Sequence, residues 1–342
     1  MTDRTEEAAE PGQPAEPADV EPTTIGRDAA APRRRIVVSR AWRFGLTAIA
    51  ALGLFVGVYA TLVGTARGQR LENLGLLGAQ LRGAAAREES LGYLSQVSVL
   101  TFALAVVGIA AIAFARRRPG LGVLVGAMMG GATILAELLK DVLPRPALVE
   151  GPAWILRNDF PSGTATVAAA LGFGALLVAP DRLRWLVLPI GAVFAAVIGQ
   201  STQITGWHRM SSAIGGVLLV VAAFAAALLL LERAGLVQPT PSGRIHPRLR
   251  FGLLIVAAVA FVVAAAALTL LVAFPLLQVP ADADSVFLHT VFELVGFGLT
   301  IVAFVAFATL IEPFTFGRSA ARTPRPAIGE EPVAVPEPID PE

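Results

Sequence analysis

The sequence has no cysteine among its 342 residues, and only 15% of its residues are charged. Without cysteine there is no disulfide, no thiol nucleophile and no cysteine-ligated metal centre. A soluble globular protein usually has about a quarter charged residues, so the low charge and the mean hydropathy of +0.68 argue against a soluble enzyme. A net charge of +1 and only two tyrosines argue against a nucleic-acid partner. These exclusions leave an integral membrane protein.

Long apolar stretches recur through the middle of the chain. Each has roughly twenty residues, which as a helix crosses about 30 Å of hydrocarbon with its backbone hydrogen bonds satisfied. We therefore predict an all-α, polytopic membrane helix bundle with about eight transmembrane helices. The predicted spans are 44–66, 96–115, 120–143, 161–180, 184–204, 209–231, 251–276 and 286–311.

The two ends of the chain differ from this middle part in composition. Residues 1–40 and 313–342 are rich in proline, alanine and acidic residues, so we predict disordered cytoplasmic tails. Between them we predict a membrane core over 41–232 and two additional C-terminal transmembrane helices over 233–312.

Arginine placement predicts the orientation of the spans. The loops that follow the second, fourth and sixth spans, and the segment before the first span, are rich in arginine. Because positive residues mark the cytoplasmic side, we predict a multi-pass plasma-membrane protein with both termini in the cytoplasm. Four cations fall on the opposite, outer side and need another explanation: Lys140, Arg145, Arg157 and Arg209.

Three polar segments reach this outer side, where we expect them to form one site. They are 137–146 at the end of the third span, 158–164 at the start of the fourth, and 201–212 between the fifth and sixth. Their chemistry suits a phosphate group, because lysine and arginine neutralise its charge and a helix N-terminus binds anions through free N–H groups. We predict Lys140, Arg145, Ser162 and Gly163 as phosphate-binding residues. His208 is the predicted catalytic nucleophile, because neutral imidazole can attack phosphorus.

With these residues in this order, the chain resembles the type 2 phosphatidic acid phosphatase superfamily, which includes vanadium haloperoxidases. That family has a lysine followed by Arg-Pro, then Pro-Ser-Gly-His, then Ser-Arg with a histidine six residues after the arginine and an aspartate four further on. The matching positions, over roughly 96–232, are Lys140, Arg145-Pro146, Pro161-Ser162-Gly163, Ser201 and His208. The resemblance implies a six-helix phosphatase-like core, an outward-facing site, a histidine nucleophile and no metal or other cofactor. It also implies a membrane lipid phosphate or polyprenyl diphosphate as substrate.

The chain departs from the family pattern at three positions. Thr164 replaces the histidine that protonates the leaving group, Thr202 replaces an arginine, and Ser212 replaces the aspartate that orients the nucleophile. A threonine hydroxyl does not donate a proton near neutral pH, and loss of a general acid typically costs about 10² to 10⁴ in rate. The departures favour a diphosphate or another activated lipid phosphate as substrate.

Two functional hypotheses therefore stay open. One is a lipid phosphatase that works through a phosphohistidine intermediate, and the other is a catalytically degenerate relative that binds phospholipid headgroups or a membrane partner. A transporter is a third interpretation, disfavoured because no internal repeat is evident and the charges cluster at one face.

Two other features carry weaker hypotheses. The outer loop 67–95 has leucines at helical spacing, which predicts a lid or entry helix along the membrane surface. His289 and Glu293 share one face of the eighth predicted span, which favours a buried structural hydrogen bond over a proton relay.

Overall fold

The computed structural model describes residues 41–239, 247–249, 251–256, 258–259, 262, 281–312 and 314–316. The predicted N-terminal tail, nearly all of the predicted C-terminal tail and most of the predicted span 251–276 lie outside these residues.

The described chain is helical, as predicted, apart from one small ribbon. Strand β1 (Val237–Pro239) pairs antiparallel with strand β2 (Phe314–Phe316). A π-helical turn, Tyr59–Val63, extends the first helix, and a 3₁₀ turn, Asp181–Leu183, precedes the eighth. The helices are α1 (Ala41–Val58), α2 (Ala66–Gln80), α3 (Ala84–Ser95), α4 (Val99–Ala115), α5 (Pro119–Val142), α6 (Ala153–Leu156), α7 (Gly163–Val178), α8 (Arg184–Ile204), α9 (Met210–Arg233) and α10 (Ala281–Ile311).

Several of these helices are long and apolar enough to cross a membrane. By length and composition there are five: Trp42–Val63, Pro119–Val142, Asp181–Ile204, Met210–Arg233 and Ser285–Ile311. Helices α3 and α4 add a sixth if they form one broken span, bent by 53°. Helix α7 is apolar but has only 16 residues, fewer than the roughly twenty that a span requires. The described residues thus contain five or six candidate spans, and the predicted eight are not all among them.

Helix α7 lies at the centre of the bundle. It packs against α5, α8 and α9, and most of its residues are buried. Its run of alanines and glycines lets neighbouring helices approach closely. On its far side Phe173 contacts two rings of α10, with centroids 4.3 Å from Phe304 and 4.5 Å from Phe307. The last helix therefore shares one hydrophobic core with α7, although the sequence indicated only an appended segment.

Helix α2 differs from the predicted surface lid. It packs against α10 so closely that a Cβ on Gly78 would collide with the backbone oxygen of Ser285. Leu74 and Leu77 are exposed, whereas Leu76 is buried together with the polar side chains of Gln69, Glu72 and Asn73. The face of α2 that joins the bundle therefore mixes apolar and polar residues. Glu72 and Asn73 have partners there, the N–H of Ser211 and the guanidinium of Arg209.

Candidate functional site

One polar cavity of about 320 Å³ lies where α5 and α8 end and α7 and α9 begin. It is lined by residues of all three predicted polar segments: Lys140, Arg157, Asn158, Asp159, Trp207 and His208. The structure thus brings two of the predicted site residues, Lys140 and His208, to the same cavity.

A tight turn after α8 presents His208 to this cavity. Gly206 has φ of +72°, in the left-handed region that glycine adopts without steric cost. The turn is closed by the carbonyl of Thr202, which accepts the N–H groups of Trp207 at 2.9 Å and His208 at 3.0 Å. The Thr202 hydroxyl donates to the Gly199 carbonyl of its own helix, at 2.7 Å. Thr202 therefore shapes the turn and does not reach into the cavity.

The imidazole of His208 is held in one tautomer. Its Nδ1 lies 3.1 Å from the backbone oxygen of Asp159. A carbonyl oxygen can only accept, so Nδ1 carries the proton and Nε2 of the neutral ring keeps its lone pair. Burial lowers the pKa of His208, and the charges of Lys140 and Arg157 lower it further, against the opposing effect of Asp159. The ring is therefore neutral near pH 7, which is its nucleophilic form.

Asp159 is the functional residue that sequence reasoning missed. Its Oδ2 lies 4.0 Å from Nδ1 of His208, and its carboxylate accepts the backbone N–H and the Nη1 of Arg209, both at 2.9 Å. Burial by itself would raise the pKa of Asp159, but the positive charge of Arg209, the backbone hydrogen bond from Arg209 and the positive charge of Arg145 oppose it, and the pKa is lowered. An ionised carboxylate thus stands beside His208, although the sequence has serine at the position of the family aspartate.

Ser212 itself takes a different role. It is fully buried, and its backbone oxygen accepts the N–H of Ser162 at 2.9 Å, which ties the start of α9 to the start of α7. No hydrogen-bond partner for its hydroxyl is found in the described part of the chain. Asp159 lies 49 residues before His208 in sequence, so only its place in the polar run 158–164 hinted at a role.

Arg209 holds Asp159 in place from behind. Its guanidinium also donates to the Asn73 side chain, at 3.1 Å from Nη2 and 3.3 Å from Nε, and to the backbone oxygen of Ile155. Since Asn73 belongs to α2, this helix supports the His208 site through Arg209 and Asp159.

Arg145, predicted as a phosphate ligand, is not among the cavity-lining residues. Its side chain is almost fully buried, and Nη1 lies 3.5 Å from Oε2 of Glu72. The other oxygen of Glu72 accepts the N–H of Ser211 in the first turn of α9, at 3.0 Å. Burial raises the pKa of Glu72, and Arg145 and Ser211 offset part of this rise. An internal carboxylate thus stands against Arg145 where the sequence analysis placed a phosphate.

Ser162 and Gly163 begin α7, as the sequence suggested. The Ser162 hydroxyl is fully buried and accepts the N–H of Ala165 at 3.2 Å, so it caps its own helix. A Cβ on Gly163 would collide with Oε1 of Glu137 and would lie 3.3 Å from Nζ of Lys140. The ammonium of Lys140 donates to both oxygens of Glu137, at 2.8 and 2.9 Å. The first turn of α7 therefore faces this ion pair.

The remaining cation of the cavity is Arg157. It is exposed, and its Nη2 donates to the backbone oxygen of Trp207 at 2.7 Å. Asn158 joins the same loop to the end of α5 by donating to the carbonyls of Lys140 and Leu143, at 2.9 and 2.8 Å. The cavity thus combines a neutral imidazole with two cations, Lys140 on α5 and Arg157 on the anchored loop before α7.

The pair of the last helix does not line this cavity, but His289 lines a small neighbouring pocket that His208 also lines. His289 Nε2 is 3.5 Å from Oε1 of Glu293, and Arg82 binds the other oxygen of Glu293 at 2.5 Å. This buried cluster joins α10 to the segment after α2. Among the residues that the structure describes, no group of three or more His, Asp or Glu side chains is arranged to hold a metal ion.

Comparisons of this chain with family models, with curated proteins and with solved structures found no match in any of the three.

Proposed function

We propose that this chain is an integral membrane lipid phosphatase that acts through a phosphohistidine intermediate. The observation that carries the proposal is the state of His208. Its Nδ1 is bonded to a carbonyl, its Nε2 is unprotonated, and it shares a cavity with Lys140 and Arg157. This combination of nucleophile and cations suits attack on a phosphate group.

The proposed reaction has two steps. The terminal phosphate lies between Lys140 and Arg157, Nε2 of His208 attacks phosphorus, and the bond from phosphorus to the leaving-group oxygen breaks. The resulting phosphoimidazole is positively charged until water attacks it, and the nearby carboxylate of Asp159 stabilises that charge. Water then displaces the imidazole, releases phosphate and restores neutral His208.

The leaving group determines which substrate suits this site. Asp159 is ionised and Thr164 carries only a hydroxyl, so neither supplies a proton to a departing alkoxide. A lipid diphosphate avoids this need, because the leaving lipid monophosphate departs as a stable anion. We therefore propose a polyprenyl diphosphate or a related lipid diphosphate as substrate. The arginine distribution supports an outer-face site with both termini cytoplasmic.

The test is phosphate release from a polyprenyl diphosphate by the purified full-length protein. We expect His208→Ala to reduce release by at least about 10³-fold, because it removes the nucleophile. A matched control is His246→Gln, a histidine between the sixth and seventh predicted spans, which should keep most of the activity. Radiolabelled phosphate should also appear on the wild-type protein in an acid-labile, alkali-stable form. Equal release by wild type and His208→Ala would contradict the enzymatic proposal.

A second candidate function is headgroup binding without turnover. The observation that favours it is the burial of Arg145 against Glu72, which leaves the cavity with fewer phosphate ligands than the family pattern implies. In that case a labelled lipid phosphate binds to the wild-type protein and not to Lys140→Ala, while no phosphate is released. Phosphate release that depends on His208 would reject this second candidate.

A further inference from the structure

A carboxylate that does not line the cavity already pairs with Lys140, one of the two cations that the proposed function assigns to the substrate phosphate. Glu137 Oε1 and Oε2 accept hydrogen bonds from Lys140, and Oε1 lies directly against the backbone of Gly163 at the N-terminus of α7. A cation and a helix N-terminus together favour an anion at this point. In the structure that anion is Glu137.

The position of Glu137 is open to exchange. Its side chain is 57% exposed and that of Lys140 is 26% exposed, so the described helices do not enclose the two groups when they separate. An exposed ion pair of this kind contributes little free energy, and a flexible glutamate turns away at small cost. Among the described residues, only Lys140 donates hydrogen bonds to the Glu137 carboxylate.

We propose that Glu137 is an internal competitor for the anion position, so that the cavity admits doubly charged terminal phosphates and rejects singly charged phosphodiester headgroups. This inference rests on the proposed function, because it assigns the ligand of the same cavity. Glu137 lowers the apparent affinity of every anion by the same factor, since it contacts the cation that would hold the substrate. It therefore sets the affinity that a ligand needs to occupy the cavity.

Charge explains the selectivity. With Asp159 paired to Arg209, the cavity presents two further positive charges, those of Lys140 and Arg157. A phosphodiester that displaces Glu137 replaces one negative charge by another and gains no Coulomb energy. Glu137 is also part of the chain, which gives it a high effective concentration at Lys140, and a free phosphodiester lacks this advantage. A terminal phosphate brings a second negative charge and neutralises both cations.

This selectivity matters at a membrane surface. Phosphodiester headgroups surround such a site at very high local concentration, and an empty cationic cavity would fill with them. A ligand must bind Lys140 tightly enough to displace the Glu137 carboxylate. The site thus gains selectivity from a group that opposes binding. Only a doubly charged terminal phosphate binds tightly enough to displace Glu137.

The experiment measures equilibrium binding of two matched ligands to the full-length protein in nonionic detergent at pH 8. The ligands are a short-chain phosphatidic acid, which is doubly charged at this pH, and its phosphate methyl ester, which carries one charge. We expect wild type to bind the first at least about ten-fold more tightly than the second. We expect Glu137→Gln to bind both about 3- to 10-fold more tightly than wild type does, because the competing carboxylate is gone.

The control variant is Glu150→Gln, which makes the same charge change at an exposed residue in the loop after α5 and should leave both affinities unchanged. A second readout adds excess phosphatidylglycerol, which should weaken phosphatidic acid binding to Glu137→Gln and not to wild type.

Unchanged or weaker binding by Glu137→Gln, or an equal effect of Glu150→Gln, would overturn this inference while leaving the proposed function in place. Because binding needs no turnover, loss of phosphate release alone would reject only the enzymatic proposal. Absence of binding by every protein would overturn this inference, and the release assay with the polyprenyl diphosphate would still decide the proposed function.

Discussion

Two ion pairs near the cavity have the same chemistry and opposite surroundings. Glu72 and Arg145 have side-chain exposures of 0% and 2%, whereas Glu137 and Lys140 have 57% and 26%. In each pair the carboxylate also lies at the N-terminus of a helix, α9 for Glu72 and α7 for Glu137. The buried pair is part of the framework and the exposed pair can open. If the proposed exchange at Glu137 holds, enclosure by the surrounding helices, and not residue type, separates a structural anion site from one that accepts a ligand.

The largest expected effect comes from breaking the buried pair. Removing one partner of a buried ion pair leaves an uncompensated charge and costs about 3–5 kcal/mol. We expect Glu72→Ala to lower the free energy of unfolding by this amount, because arginine cannot lose its proton to escape the charge. Arg145→Ala should cost less, since the pKa of Glu72 is already raised and the acid can become neutral.

Denaturant titration of the purified variants in detergent measures this difference. The double variant with both alanines should be more stable than Glu72→Ala alone. If the two single variants and the double variant all had the free energy of unfolding of wild type, the pair of Glu72 and Arg145 would not be a structural one, and its contrast with Glu137 and Lys140 would be wrong.

A smaller effect is expected on the pH profile of phosphate release. The pKa of His208 is lowered by burial first and then by Lys140 and Arg157. Lys140→Gln removes one lowering charge, so the pKa of His208 rises and the neutral, nucleophilic fraction decreases at acidic pH. We therefore expect the acid limb of the profile to move to higher pH.

The pKa itself can be measured by NMR titration of the imidazole, which is practical because the chain has only three histidines. Arg70→Gln, which removes a positive charge at a residue absent from the cavity lining, serves as the control and should leave the limb in place. A shift of the limb to lower pH in Lys140→Gln would contradict the electrostatic account.

The smallest expected effect is on stability at the exposed pair. An exposed ion pair contributes about 0–1 kcal/mol, so Glu137→Gln should change the free energy of unfolding by no more than that. The same denaturant titration that is used for Glu72→Ala gives this value. A loss as large as that of Glu72→Ala would mean that Glu137 is a framework residue, and the proposed exchange with a ligand would then fail.

Part of the site could be predicted because it depends on local patterns. Apolar runs located the helices, and polar residues at the ends of neighbouring helices brought Lys140 and His208 to one cavity. Asp159 could not be assigned in this way, because its role depends on packing between the loop before α7 and the turn after α8. Nor could the burial of Arg145, because its partner Glu72 lies on a helix that the leucine spacing placed at the membrane surface.

The sequence by itself determined the helical, membrane-spanning character of the chain and the end of the bundle where polar groups gather. Both depend on hydropathy and helical periodicity, which are properties of neighbouring residues. The tertiary structure alone decided which charges pair with each other and which remain open to solvent. Those outcomes depend on contacts between residues far apart in the chain, such as Glu72 with Arg145 and Asp159 with His208, and on how completely the surrounding helices exclude water.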